Sequence, residues 1–381
     1  STRFMKNYNK RNLFFDDLHN QKDLKWLGQN TNHFNSHDYV ISEMIRSIKS
    51  QEFHHYAPPL GLEELRTLVL NRLGLTNLVS LITDGAVSGL YHICKELCSS
   101  TEQLITTDPT WAWPIHFAQS TGAEVIQIPI FGKEYNYTLD PNRLKEYINR
   151  NTKLLYLVDP NNPLGTCFSK EQILKIVEIA EDNNITIIHD CTYRDFADDH
   201  HLIANYYPEN TITIWSFSKW LGLAGMRIGT IVTSEKIMEK IGQYPPNILG
   251  SNIVAQRGAI AGLKIMDEWF PKVFKLQREN QKNVFEMINN TKGFEIPIYP
   301  SNGNFIIIEI EDEEITPEAI SSCYAEHKIL VRQGSYHTKK FGNKFVKVSL
   351  SVPKEWADEF INLFPSIITK SRNKTGNFQL Y

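Results

Sequence analysis

A lysine follows an apolar, hydroxyl-bearing run in Ser216-Phe217-Ser218-Lys219-Trp220-Leu221-Gly222-Leu223-Ala224-Gly225-Met226-Arg227-Ile228-Gly229. Two hydroxyls stand just before it and an arginine follows eight residues later. A lysine amine condenses with an aldehyde to a Schiff base, and hydroxyls with a guanidinium hold a phosphate. Two further segments serve the same chemistry. Asp190 closely follows the run Ile185-Thr186-Ile187-Ile188, and a carboxylate at a buried strand end needs a cationic partner. A protonated pyridine nitrogen is such a partner. Gly85-Ala86-Val87 opens a helical pattern, so free N–H groups and the helix dipole are offered to an anion. These are the groups a pyridoxal phosphate enzyme needs: an amine for the aldehyde, a carboxylate beside the pyridine nitrogen and donors for the phosphate, with the ring as an electron sink.

The run around Lys219 resembles the lysine signature of the fold type I pyridoxal phosphate enzymes, the aspartate aminotransferase superfamily. Other segments carry the resemblance in the family's order, from about residue 25 to 352. Asp190-Cys191-Thr192-Tyr193 matches the family's D-x-x-Y, which implies that Tyr193 donates to the cofactor's phenolic oxygen. Asn162, in Asn162-Pro163-Leu164-Gly165, matches the asparagine that touches the same oxygen. Asp108-Pro109-Thr110-Trp111-Ala112-Trp113 is similar to the segment that stacks an aromatic on the ring; Trp111 takes that position and Trp113 lines the substrate pocket. Tyr56, in the pattern Y-x-x-x-x-G-x-x-x-L-R up to Arg66, matches a tyrosine that reaches the phosphate of the other subunit. The resemblance therefore implies a homodimer with shared active sites. The phosphate donors would be Gly85, Ala86, Val87, Ser216, Ser218 and Arg227. The catalytic set would be Lys219, Tyr193 and Asp190. Lys219 would take the Cα proton of an amino acid and return it to the cofactor carbon.

The chain departs from the family where the substrate is held. A late strand usually reads R-[IVL]-S, its arginine forking onto the substrate α-carboxylate. Here Lys344-Phe345-Val346-Lys347-Val348-Ser349 puts Lys347 in that place, and a lysine cannot make the bidentate fork. Arg332, in Ile329-Leu330-Val331-Arg332-Gln333-Gly334-Ser335, could supply the missing charge. Its segment is similar to that of histidinol-phosphate aminotransferases and threonine-phosphate decarboxylases, where an arginine meets a substrate phosphate. Leu27-Gly28-Gln29-Asn30-Thr31-Asn32-His33 lies where the family folds a segment over the substrate, so Asn30 and His33 are further candidates for a polar substrate end. The altered clamp leaves two chemistries: transamination to a 2-oxo acid, or a lyase, decarboxylase or cyclase reaction, such as elimination with ring closure on a hydroxylated arginine-like substrate. Asp198-Asp199-His200-His201 carries metal-binding residue types without a ligand spacing, reads as a solvated loop, and leads to no expected metal.

These residues need a sheet to place them. Leu78 to Thr83, Leu154 to Val158, Ile185 to Ile188 and Thr211 to Trp215 are apolar runs between helical patterns, among them Val87 to Cys98 and Lys170 to Asp182, the latter with Ser169 as N-cap. This predicts an α/β fold: a mostly parallel sheet, seven-stranded in the resembled family, covered on both faces, with sites beyond the carboxyl ends of its strands. A helical stretch from Met266 to Asn290, the strand Asn304 to Ile310, a helix near Pro317 to His327 and strands at Ile329 to Arg332 and Lys344 to Leu350 predict a smaller α+β domain. The expected division is residues 46–265 for the large domain, with 1–45 and 266–381 in the small one. The length of 381 residues accords with two domains, and a net charge of −3 gives no footprint for nucleic acid or an anionic membrane. No apolar run reaches the roughly 18–20 residues of a membrane span, and the start has no hydrophobic signal core, so the expected compartment is the cytosol. The five cysteines (Cys94, Cys98, Cys167, Cys191, Cys323) form no CxxC pair and no expected disulfide framework; Cys94 and Cys98 read as core.

Overall fold

The computed structural model describes residues 2–374 and residue 381. The chain divides into two units. One comprises Phe34–Lys275 with Ser301–Asn304; the other comprises Ser1–His33, Leu276–Pro300 and Phe305–Tyr381.

The larger unit holds a seven-stranded sheet. Its strands in chain order are β1 (Val79–Thr83), β2 (Gln103–Asp108), β3 (Glu124–Pro129), β4 (Thr152–Val158), β5 (Thr186–Asp190), β6 (Thr211–Ser216) and β7 (Gly229–Thr233). Their spatial order is β1-β7-β6-β5-β4-β2-β3. Five of them, from β6 to β3, are parallel, and β7 runs antiparallel to both of its neighbours. Most strand residues are buried on both faces, which is why these strands read as continuous apolar runs rather than alternating ones. The core joins Leu81, Leu104, Tyr156, Ile188, Ile212 and Ile231 of the sheet to Leu90, Ile93, Cys94 and Cys98 of the helix Gly85–Leu97 and its end. Burial pushes the Cys94 thiol up to about 12 and the Cys98 thiol up to about 11, which keeps both protonated and inert. The helix Lys170–Asp182 starts where its sequence predicts: the Ser169 hydroxyl accepts from the Gln172 N–H, and the Gln172 side chain closes a capping box.

The smaller unit has a four-stranded antiparallel sheet, ordered Arg332–Gln333, Phe345–Ser349, Phe305–Ile310, Phe294–Glu295. A two-residue strand, Lys25–Trp26, pairs in parallel with Ile329–Leu330. Its core packs Ile306, Ile308, Val346 and Val348 against Tyr324, Phe360 and Phe364 of the helices Pro317–Ala325 and Lys354–Arg372.

The division between units differs from the expected 46–265. Residues 34–45 belong to the larger unit because they are tied to its long helix. The Trp269 indole N–H donates to the Asn35 carbonyl at 3.2 Å, His37 lies 3.4 Å from Glu268, and Gly258 packs beside Met44. That helix runs Ile253–Asn289, starting well before Met266. Its first half is mostly apolar and its charged residues become frequent only from Asp267, so the polar stretch marks neither the start of the helix nor the change of unit at Lys275.

Candidate active site

One rim of the large sheet gathers Gly85, Asn162, Asp190, Ser216, Ser218, Lys219 and Arg227. Parallel strands deliver their carboxyl ends there, and antiparallel β7 delivers its amino end. The register fixes the order across the rim: Val158 pairs with Asp190, Asp190 with Ile214, Ser216 with Gly229, and Gly229 with Thr83. Asn162 follows β4, Asp190 ends β5, Ser216 to Lys219 leave β6, Arg227 precedes β7, and Gly85 follows β1. Segments more than a hundred residues apart therefore meet on one edge.

Asp190 is buried at the centre of this rim. Its Oδ1 accepts from the Thr192 N–H at 3.2 Å and the Thr192 hydroxyl at 2.6 Å, and its Oδ2 accepts from the Tyr156 hydroxyl at 2.8 Å. Burial raises the Asp190 carboxyl above the usual aspartate value, against the lowering effect of these donors. Such a group is stabilised in its charged form by a cation placed on it. Tyr156 was not a predicted site residue; a tyrosine within a wholly buried apolar strand was the signal, since its hydroxyl must find a partner. Asn162 and Tyr193 are brought together, with the Asn162 amide donating to the Tyr193 hydroxyl at 3.3 Å.

The lysine run forms a turn beyond β6. The Ser218 N–H donates to the Ser216 hydroxyl at 3.0 Å, and both serines are buried while Lys219 is half-buried. Arg227 adopts φ 56° and donates from Nη1 to the Ala224 carbonyl at 2.8 Å. Its other Nη lies against Gly85, whose φ is +81°; a Cβ there would come within 2.2 Å of Nη2. A Cβ on Gly229 would come within 2.7 Å of the Ala86 N. Two glycines thus keep a cradle open between a helix start and a guanidinium. A buried carboxylate on β5, a lysine beyond β6 and this cradle fit pyridoxal phosphate.

Trp111 is half-buried against the apolar core of the sheet, and Trp113 starts the helix Trp113–Gln119 with its ring 5.5 Å from His116. Val87 lies in the first turn of the helix behind Ala86. Tyr56 is 80% exposed.

In the smaller unit, Arg332 and Lys347 face each other directly across neighbouring strands. They are 4% and 2% exposed, so neither is a surface charge. Arg332 lies 3.8 Å over the Tyr336 ring and donates to the Tyr381 carbonyl, while Lys347 Nζ lies 5.3 Å over Phe305. Asn30 is buried with φ 58°; its N–H donates to the Ser349 hydroxyl at 2.8 Å, which in turn donates to Asn30 Oδ1 at 2.8 Å. His33 Nε2 lies 2.6 Å from the Thr31 hydroxyl, with the ring between Trp26 and Trp356.

One reading needs correction. His200 is not solvated: its side chain is 4% exposed and Nε2 lies 2.9 Å from the Asp159 carbonyl. The neighbouring His201 and Asp199 do form a more open pair, at 3.2 Å. Burial of one member of a polar tetrad is a tertiary fact that no local pattern carries.

The fold and this rim define a fold type I pyridoxal phosphate enzyme. The chain belongs to the class I and II aminotransferase family, whose model matches residues 22–364. Pyridoxal phosphate is the cofactor of that family. The chain is 28% identical over 338 residues to an aspartate aminotransferase of Pyrococcus horikoshii, covering 84% of this chain and 85% of that protein. It is 27% identical over 298 residues to a histidinol-phosphate aminotransferase of Clostridium kluyveri, covering 77% and 80%. A Thermus thermophilus aspartate aminotransferase double mutant shares the fold with a TM-score of 0.81 at 20% identity, covering 94% of this chain and 95% of that one. These relatives support transamination and do not favour the lyase or cyclase alternative. Among the described residues, no helix is long and apolar enough to cross a membrane.

Proposed function

We propose that this chain is a homodimeric, cytoplasmic aminotransferase in which Lys219 moves the substrate's Cα proton. The observation that carries this reading is the single rim on which Asp190, Lys219 and the Gly85–Arg227 cradle meet.

When bound, pyridoxal phosphate supplies a covalent carrier for the amino group and an electron sink for the broken Cα–H bond. The residues do the rest. Asp190, steadied by Tyr156 and Thr192, holds a proton on the ring nitrogen. Asn162 and Tyr193 would hold the ring's oxygen, and Trp111 would contact the ring. The N–H groups of Gly85, Ala86 and Val87 and the groups of Ser216, Ser218 and Arg227 hold the phosphate, joined by Tyr56 of a second copy. Lys219 Nζ would be the base that accepts and holds the substrate's Cα proton. Lys347, as a point charge, and Arg332, through its guanidinium fork, are the candidates for the anionic groups of the amino acid; Ser349, fixed by Asn30, stands two residues from Lys347 on the same strand face. His33 and Trp113 are further candidates for substrate contacts.

The test is a panel of amino acids incubated with the cofactor-loaded enzyme and a 2-oxo acid acceptor, with products read by mass spectrometry. The expected result is an oxo acid from at least one donor and about a hundredth of it or less with Lys219→Ala in the same time. Consumption of an amino acid without its oxo acid overturns the reading.

A further inference from the structure

Strand β5 carries chemistry on both sides of Asp190. Its sequence neighbours His189 and Cys191 are buried, and the pleat turns them away from the Asp190 face. We propose that His189, Cys191 and His200 form a zinc site behind the cofactor rim.

A ring nitrogen of each histidine and Cys191 Sγ lie within 4.8 Å of one another. Zinc with nitrogens at ~2.0 Å and sulfur at ~2.3 Å spaces tetrahedral donors roughly 3.3–3.7 Å apart, so small side-chain rotations close the triad on one ion. The rings lie nearly parallel, with an interplanar angle of 12° and centroids 5.4 Å apart. Asp159 secures both. Its Oδ2 is 2.9 Å from His189 Nε2, and its carbonyl is 2.9 Å from His200 Nε2. A carboxylate or carbonyl on one ring nitrogen is how ligating histidines are held in a single tautomer, with the other nitrogen's lone pair directed at the metal. In that tautomer the lone pairs left for an ion are on the two Nδ1 atoms. His200 Nδ1 is buried with no hydrogen-bond partner. His189 Nδ1 accepts only a long 3.4 Å bond from the Ile203 N–H, which an ion displaces.

Two imidazoles and a thiolate select zinc over magnesium or calcium. On binding, the Cys191 thiol gives its proton to solvent and Sγ becomes the third protein ligand. The ion is structural. It braces the residues on either side of Asp190 and, through Asp159, the loop that carries Asn162.

The test loads the pyridoxal phosphate-bound enzyme with Zn²⁺, desalts it and measures metal by mass spectrometry. About one zinc per chain is expected. Zinc-edge X-ray absorption on the wild type should show a sulfur at ~2.3 Å with nitrogens at ~2.0 Å. In competition with a chromophoric chelator, Cys191→Ser and His200→Asn should each lose at least about tenfold in zinc affinity, and His201→Asn should not. No retained zinc, a metal shell without sulfur, or unchanged affinity in Cys191→Ser overturns the site. If the variants fail to fold, the X-ray absorption of the wild type decides alone.

Discussion

Lys219 and Asp190 divide the work at the scale of single residues: one moves a proton and the other sets the charge that makes the move possible. Lys219→Ala should lower turnover by about 10²–10⁴-fold while the thermal melting temperature stays near wild type, because the lysine is only half-buried. Asp190→Asn keeps the shape and removes the charge. Turnover should fall by about 10²–10³-fold, with the Tyr156 and Thr192 contacts still available to hold the side chain. Steady-state kinetics on both variants, with circular dichroism to confirm folding, checks this. Both residues were legible in the sequence because their types and spacing encode the chemistry. Tyr156 and His200 were not, since their significance lies in a partner contributed from elsewhere in the chain: Asp190 for one, Asp159 for the other.

Elements set how well those residues are held. Gly85→Ala should weaken cofactor binding at least about tenfold, since the new methyl displaces Arg227 and φ +81° strains any side chain. Titration of the cofactor-free protein with pyridoxal phosphate reads this directly. The short helix Glu52–His54, just before Tyr56, is tied to the long helix Ile253–Asn289 by a two-pronged ion pair, Arg257 Nε and Nη2 to Glu52 at 3.0 and 2.8 Å. The Arg257 hydrogen bond holds the Glu52 carboxyl below the usual glutamate value. A depressed carboxyl contributes stability that is present above its unfolded pKa of about 4.3 and lost as pH falls through the lower folded value. Glu52→Gln should therefore cost up to about 1 kcal/mol at pH 7, limited by solvent screening, and nearly nothing once wild-type Glu52 is itself protonated. Urea denaturation at both pH values checks it. Helices with local stop and start signals were readable, as the Ser169 cap shows. The start of the long helix was not, because Gly258 and Gly262 interrupt a mostly apolar stretch before the charged residues become frequent near Asp267.

Assembly is the question at the scale of the whole molecule. Ile41, Ile45 and Ile48 form an exposed stripe on the helix Asp38–Lys49 at helical spacing, and Phe53 and Tyr56 continue the exposed apolar residues along the chain. Such a patch marks an interface. Sedimentation should give a dimer, and Ile45→Glu should shift it toward monomer. If Tyr56 serves the neighbouring copy, Lys219→Ala and Tyr56→Ala enzymes, each nearly inactive, should regain activity when unfolded together and refolded as mixed dimers; no recovery would place Tyr56 in its own subunit's site. In the sequence only the Tyr56 motif pointed to a dimer, because the stripe becomes visible once the helix is known to leave that face uncovered. The position of β7 has a consequence for synthesis. β1 is an edge strand whose one neighbour is β7, with Val79 paired to Thr233. A growing chain must hold Val79–Thr83 unpaired until Gly229–Thr233 has been made, so the first strand of the sheet is among the last to dock. The cradle beside Gly85 closes in that same event, which makes cofactor capture a signal that the sheet is complete.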